Sequence, residues 1–287
     1  MAASEYSKEE KTEEKKKEAP PANKLYVWGS ANTYSTRDSF FLSRLKGQAY
    51  GGTLGVDYKV LSDLKLGFYY TRRHTNALSP LGITTVQPDE DTYYPYLMYN
   101  FTPNFFLNVV TGYSNITTHI KRFNLPNLTP IFSKAKASRW SVYPSVNYAF
   151  VPADNWQGSF QVGYGFEYFS SESYRESNNN RVNGTMSMRN YGFTFLDISY
   201  FFKVACDLFT SIAPYVQGGA DYNFQLTPIK ISNQQVFGRG REGYTVGTGL
   251  RFYFTNDVAL TAGWQRIGGH SGQTNNVYTI LLRAGIY

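Results

Sequence analysis

Apolar and polar side chains alternate with a period of two through about twelve stretches of this chain. The connections between the stretches alternate short with long. The clearest stretch runs from Trp156 to Tyr168. Trp156, Phe160, Val162, Tyr164, Phe166 and Tyr168 fall on one face, and Gln157, Ser159, Gln161 and Glu167 on the other. Side chains change face at every residue of a strand but return about every 3.6 residues on a helix, so a helix would scramble this order. The pattern calls for strands with one greasy and one wet face. It leaves open whether the greasy face turns into a sandwich core or out to lipid.

Length and connection order narrow the choice. The stretches read as strands over 24–35, 47–59, 64–76, 91–102, 104–120, 136–151, 155–171, 188–203, 207–225, 242–255, 257–267 and 275–287. Most reach about ten residues or more, which suits a tilted bilayer-spanning strand better than a soluble one. The short connections are Val60–Asp63, Pro103, Pro152–Asp154, the region of Ala205 and Cys206, and Asn256. The long, polar ones include Ser79–Glu90, Phe123–Lys134, Glu172–Met186 and Thr227–Arg241. Sorting connections by length in this way is the layout of an outer-membrane barrel, with periplasmic turns and extracellular loops. An even strand number leaves both termini on the periplasmic side. Strand four is untidy: Tyr93, Tyr94 and Tyr96 put aromatics on both faces, and Pro95 predicts a bulge near the extracellular rim.

The two faces keep their character from strand to strand. Leu64, Leu66, Phe68 and Tyr70 share the apolar face, as do Trp140, Val142, Val146, Tyr148 and Phe150, then Leu208, Ile212, Val216 and Ala220. Tyr244, Val246, Leu250, Phe252 and Phe254 continue it, with Val258, Leu260, Ala262 and Trp264. These are assigned to lipid. The opposite face carries Asp57, Lys65, Arg73, Arg139, Glu167, Asp197, Asp221, Arg251 and Arg283, with Ser145, Asn147, Gln161, Ser211, Gln217 and Gln265 among them. An Arg aimed at lipid near the midplane costs roughly 2–4 kcal/mol. In a dry sandwich core each of these groups would need its own partner. A wet or ion-paired lumen takes all of them, so the expected fold is all-β, a closed antiparallel transmembrane barrel of twelve strands. Its lumen lining is expected to bear mixed charge.

Composition agrees. Aromatic content is 17%, with 25 Tyr and 21 Phe, and such rings suit membrane–water interfaces. No apolar run is long enough for a transmembrane helix. A single cysteine, Cys206, excludes an internal disulfide framework. The net charge of +7 comes from scattered Lys and Arg in loops, which fits a basic loop surface near anionic headgroups better than nucleic-acid binding.

Residues 1–22 differ from everything after them, and the barrel is expected over 23–287. SKEEKTEEKKKEAPPA is dominated by Glu and Lys, with a capping box at Ser7 and Glu10 and a stop at Pro20-Pro21. It has no apolar stripe, so it reads as a solvated tail, as a polar helix threaded into a wet lumen, or as a linker. The start has no apolar h-region. A barrel must be exported, which suggests that a targeting segment is missing.

Catalysis and metal binding have little support. His74 and His119 lie near strand ends, and His270-Ser271 lies in the last long loop. A His–Ser pair is found in outer-membrane phospholipases, but there the Ser stands two residues after the His. Adjacent residues on a strand face opposite ways and could not share a lipid-facing site. No His/Cys/carboxylate cluster has metal-ligand spacing. No catalytic residue, cofactor or metal is expected.

From about residue 24 to 287 the chain resembles the translocator β-domain of autotransporters, the type V secretion family. The resemblance is carried by LYVWGSANTYS, by AYGGTLGVDYKV with its Gly-Gly-x-x-Gly-x-Asp pattern, and by LKLGFYYTRR. It continues through YYPYLMYNFTPNFFLNVVTGYSNITTHIKR, VGYGFEYFSSESYRES and the final NVYTILLRAGIY. Strict alternation departs from the usual pattern by turning Tyr287 inward. The resemblance implies residence in the outer membrane of a Gram-negative bacterium, among outer-membrane lipid and lipopolysaccharide, as a monomer. It also implies insertion by the barrel-assembly machinery, which reads the terminal aromatic, and passage of the C-terminal end of an N-terminal passenger through the lumen. Residues 1–22 would then be the linker left as a plug. Two other classes fit the same wall: a porin for small solutes, and a surface adhesin whose loops, with Tyr93, Tyr94, Asn178–Asn180 and Phe237, bind partners.

Overall fold

The computed structural model describes residues 25–38, 45–79, 82–124, 127–204, 208–224, 229–231, 234–236, 240–254, 258–269 and 273–286. Twelve long strands form one closed barrel. They are Leu25–Asp38 (β1), Lys46–Lys59 (β2), Leu64–Leu78 (β3), Thr84–Thr102 (β4), Phe105–Asn124 (β5), Thr129–Phe150 (β6), Trp156–Ser171 (β7), Met186–Tyr200 (β8), Ser211–Asn223 (β9), Glu242–Tyr253 (β10), Val258–Gly269 (β11) and Gln273–Ile286 (β12). Each pairs antiparallel with its chain neighbours, and β1 closes on β12 from Leu25 opposite Ile286 to Asp38 opposite Gln273. Closure leaves no row of unpaired backbone groups, which lipid could not satisfy.

The burial pattern is the inverse of a water-soluble core. Leu54 (69%), Trp140 (58%), Val216 (59%) and Ile280 (59%) are exposed. Asp57, Thr92, Ser114, Ser141, Ser145 and Asn147 are buried on the opposite face. So continuous an exposed apolar band marks a surface that meets lipid rather than water. This excludes the sandwich.

Three expectations need correction. The connections after β3 and β5 are short, because the polar stretches assigned to loops are strand: β4 begins at Thr84, β5 runs to Asn124, and β6 begins at Thr129. TTVQPDEDT, HIKRFN and TPIFSKAKAS still alternate, and they pair with one another beyond the apolar band. Polarity marks where lipid ends, not where a ladder ends. Pro95 sits in register opposite Phe68 without a bulge. The register shift lies between Asn100 and Thr102, at the short-turn end. Finally, the connection at 201–210 is not a bare turn, because Phe202–Lys203 pairs back onto Ile212 and Ser211.

At the long-connection end a small hairpin, Tyr174–Arg175 with Arg181–Val182, stands on the overshooting edge of β6. Ser133 bridges to Glu176, and the Ser177 amide donates to the Phe132 carbonyl at 2.9 Å. Residues 1–22, Cys206, Phe237, Asn256, His270, Ser271 and Tyr287 lie outside the described residues, and with them the tail, the last long loop and the terminal aromatic.

Candidate functional site

The inward side chains of neighbouring strands assemble into four charged groups around the wall. In the first, Asp57 on β2 accepts from Trp28 Nε1 at 2.9 Å and from Arg283 Nη2 at 3.2 Å. The Tyr96 hydroxyl donates to the same carboxylate. Arg283 lies over the Tyr26 ring at 4.6 Å, and Lys65 Nζ is 5.9 Å from the same ring centre.

In the second group Glu90 on β4 is clamped between Arg73 on β3 and Arg139 on β6. Thr92 donates to Glu90 at 3.3 Å, its hydroxyl lies 2.9 Å from that of Ser114, and Arg139 also donates to Ser114 at 3.3 Å. In the third, Glu167 accepts from Tyr143 at 2.8 Å and lies 3.8 Å from Arg189. Arg189 donates to Asn223 at 2.7 Å and to Asp221 at 3.4 Å, and stacks on Tyr191 at 4.3 Å. In the fourth, Arg251 forks onto both oxygens of Asp197 at 3.0 and 2.7 Å and lies over Tyr215 at 4.2 Å. A planar guanidinium fits a carboxylate and an aromatic face at once, which suits Arg to this wall better than Lys.

Asp57, Arg73, Arg139, Glu167, Asp197, Asp221, Arg251 and Arg283 thus all take part in charged contacts on one face, and Lys65 borders the first group. Two residues at the centre of these contacts escape a reading of the sequence. Glu90 falls in a Pro-Asp-Glu-Asp run that looks like a loop. Arg189 stands at the ragged start of β8. Period two would have found both: Glu90 is two residues before Thr92, and Arg189 is two before Tyr191 and eight before Asp197.

Each inner-wall ion pair links strands that are adjacent or one strand apart: β3 to β4, β4 to β6, β7 to β8, β8 to β9, β8 to β10, and β12 to β2 across β1. Among the described residues none reaches across the bore. Large rings lie flat against the wall between the charges. Tyr69 stacks on Tyr94 at 4.5 Å and contacts Trp28 at 5.4 Å and Tyr96 at 5.9 Å. The glycines opposite them in register make this possible. A Cβ at Gly55 would fall inside the Trp28 indole, and one at Gly67 inside the Tyr96 ring. No group of three or more His, Cys, Asp or Glu among the described residues is placed to hold a metal.

Residues 27–265 match the model of the autotransporter β-domain family. The chain belongs to the autotransporter β-domain family. An autotransporter β-domain resides in the outer membrane of a Gram-negative bacterium, and that environment accounts for the exposed apolar band. The fold is shared with the translocator domain of the autotransporter NalP from Neisseria meningitidis, at 9% identity, with 91% of this chain and 88% of that chain covered and a TM-score of 0.76. It is shared also with the β-domain of the Bordetella autotransporter BrkA, at 15% identity, 91% and 99% coverage and a TM-score of 0.71. An outer membrane channel from Pseudomonas putida F1 is less similar, at 14% identity, 93% and 97% coverage and a TM-score of 0.55. No curated protein matches the chain.

Proposed function

We propose that this β-domain is a translocator: its polar bore passes an N-terminal polypeptide to the cell surface and then holds the linker as a plug. The observation that carries this reading is the closure of the inner-wall ion pairs along the wall. A buried charge without a partner would grip any complementary side chain that entered. Here Glu90, Asp57, Asp197 and Glu167 are already engaged by groups of their own wall. A passing chain meets carboxylates that are already paired and aromatic faces, and no array of one sign holds it.

The nine lining residues named from the sequence act in this reading as a low-friction wall rather than as a binding site. The protein performs no catalysis and uses no cofactor or nucleic acid. It works as a monomer among outer-membrane lipid and lipopolysaccharide, inserted by the barrel-assembly machinery. Residues 1–22 are the linker, and their mixed Glu and Lys complement a wall of mixed sign.

Single-channel conductance in planar bilayers, with and without residues 1–22, tests the proposal against a porin. A translocator gives small, flickering currents that rise severalfold when residues 1–22 are deleted. A large, ion-selective conductance unchanged by the deletion would overturn it in favour of a channel.

A further inference from the structure

The overshooting part of β4, β5 and β6 turns a second, basic surface outward. Below it lies an aromatic belt: Tyr113 packs on Trp140 at 4.6 Å, and Tyr70 on Tyr93 at 5.4 Å. Above the belt the outward side chains become polar. Arg72 stands opposite Asp91, and His74 bonds Asp89 at 2.7 Å, so β3 and β4 neutralise each other. On β5 and β6 the cations are not neutralised. His119 stands directly opposite Lys134, and Thr117 opposite Lys136. Lys121 rests on Phe123 and Phe132, at 5.2 and 5.7 Å. In the adjoining hairpin Arg175 stands directly opposite Arg181.

Like charges placed opposite each other across a ladder are destabilising. Among the described residues no carboxylate lies within ion-pair distance of Lys121, Lys134, Lys136, Arg175 or Arg181. Two carboxylates are close by. Glu176 is turned to the inner face and held by Arg122 at 2.9 Å. Glu172 is exposed, its amide donating to the Lys136 carbonyl at 2.9 Å. A groove of about 570 Å³ runs across this face, lined by His119, Lys121, Phe132, Lys134 and Arg175 together with Glu176, whose carboxylate is already held by Arg122. Lys136 and Arg181 stand beside the groove rather than in its lining.

Height identifies the occupant. Lys136 lies four residues beyond Trp140 on β6. At about 3.3 Å per residue and the tilt of a barrel strand, that is about 10 Å above the belt ring, with Lys134 about 5 Å higher. This is the level of outer-leaflet headgroup phosphates and the sugars attached to them. The geometry points to a binding site for a phosphorylated glycolipid of the outer leaflet. Lys121, Lys134 and Lys136 take the phosphates, Arg175 and Arg181 share a further anion, and Phe132 packs on a sugar face. The proposal rests on the outward orientation of the long-connection end.

The test uses the folded full chain in detergent, titrated with bisphosphorylated lipopolysaccharide and with the same lipopolysaccharide after phosphatase treatment. Wild type is expected to bind the phosphorylated form at least tenfold more tightly. The combined variant Lys121→Gln, Lys134→Gln, Lys136→Gln is expected to lose that preference while keeping heat-modifiable migration and wild-type conductance. The control Lys59→Gln, Lys203→Gln removes cations at the short-turn end and is expected to bind as wild type. Equal binding by the triple variant, or equal binding of both lipids by wild type, would overturn the site. Loss in the control instead would overturn both site and orientation. Competition by millimolar inorganic phosphate alone would overturn the glycolipid as occupant. Altered conductance with intact lipid binding would count against the translocator reading and leave the site standing.

Discussion

At the residue scale the wall is built from pairs: a ring lies over a glycine, and an Arg fork is met by a carboxylate. Gly67 stands opposite Tyr96, whose hydroxyl reaches Asp57. Gly67→Ala puts a methyl where the ring lies, and overpacking of this kind costs typically 1–3 kcal/mol. Urea unfolding in lipid vesicles is expected to show that loss, with a lowered midpoint and an unchanged slope. Glu90→Gln leaves Arg73 and Arg139 facing each other across a neutral amide. Removing one partner of a buried pair costs on the order of 3 kcal/mol, and the same assay reads it. Returning the group to its original net charge with Glu90→Gln and Arg139→Gln together is expected to recover part of it.

Some of this was legible in the sequence and some was not. Period two sorts Asp57, Arg139 and Arg251 from Val56, Trp140 and Leu250 with no knowledge of the fold. It does not say which glycine faces which ring, because that depends on the register between strands. Trp28 and Gly55 are 27 positions apart, and nothing local joins them. The same gap explains why the tyrosines read as an interfacial belt alone, when Tyr69, Tyr94, Tyr143 and Tyr191 belong to the inner wall.

At the scale of elements, the hairpin between β7 and β8 is clasped to the wall by Arg122 and Glu176. The Arg122 guanidinium bonds both oxygens of Glu176, and Asn180 adds a further donor at 3.1 Å. These donors hold the Glu176 carboxyl below its ordinary value of 4.5, although burial acts the other way. A carboxylate whose pKa is depressed by folding stabilises the fold above the ordinary value, and that contribution fades as pH falls through the depressed one. The clasp is therefore complete at neutral pH and opens in acid. Trypsin cleavage at Arg181, followed in pulses across this range, is expected to speed up as pH falls below 4.5, after correction for trypsin's own pH profile. Glu176→Gln is expected to cleave faster at neutral pH and to lose the pH dependence. The loop-to-strand correction belongs at this scale too. Thr84 to Asp91 looks like a loop because its outward face is polar, but water outside the bilayer is as good a neighbour for a strand as for a loop. β-branched residues such as Thr84, Thr85 and Val86 favour the strand.

At the scale of the whole molecule, two surfaces of opposite character are wrapped on one sheet. The outer one is an apolar band with an aromatic edge and, on β5, β6 and the adjoining hairpin, a basic patch above it. The inner one is a polar wall whose ion pairs run along its own circumference. Closure of β1 on β12 makes the two compatible, because it lets every residue of each strand serve one surface or the other. In the proposed function this wall lets an attached polypeptide through. The most direct measurement fuses an export signal and an epitope-tagged reporter ahead of residue 1, expresses the fusion in a Gram-negative host, and treats intact cells with protease. The reporter is expected to be cleaved from outside while a periplasmic marker stays whole. A folded, heat-modifiable barrel whose reporter stays protected until the outer membrane is broken would contradict it.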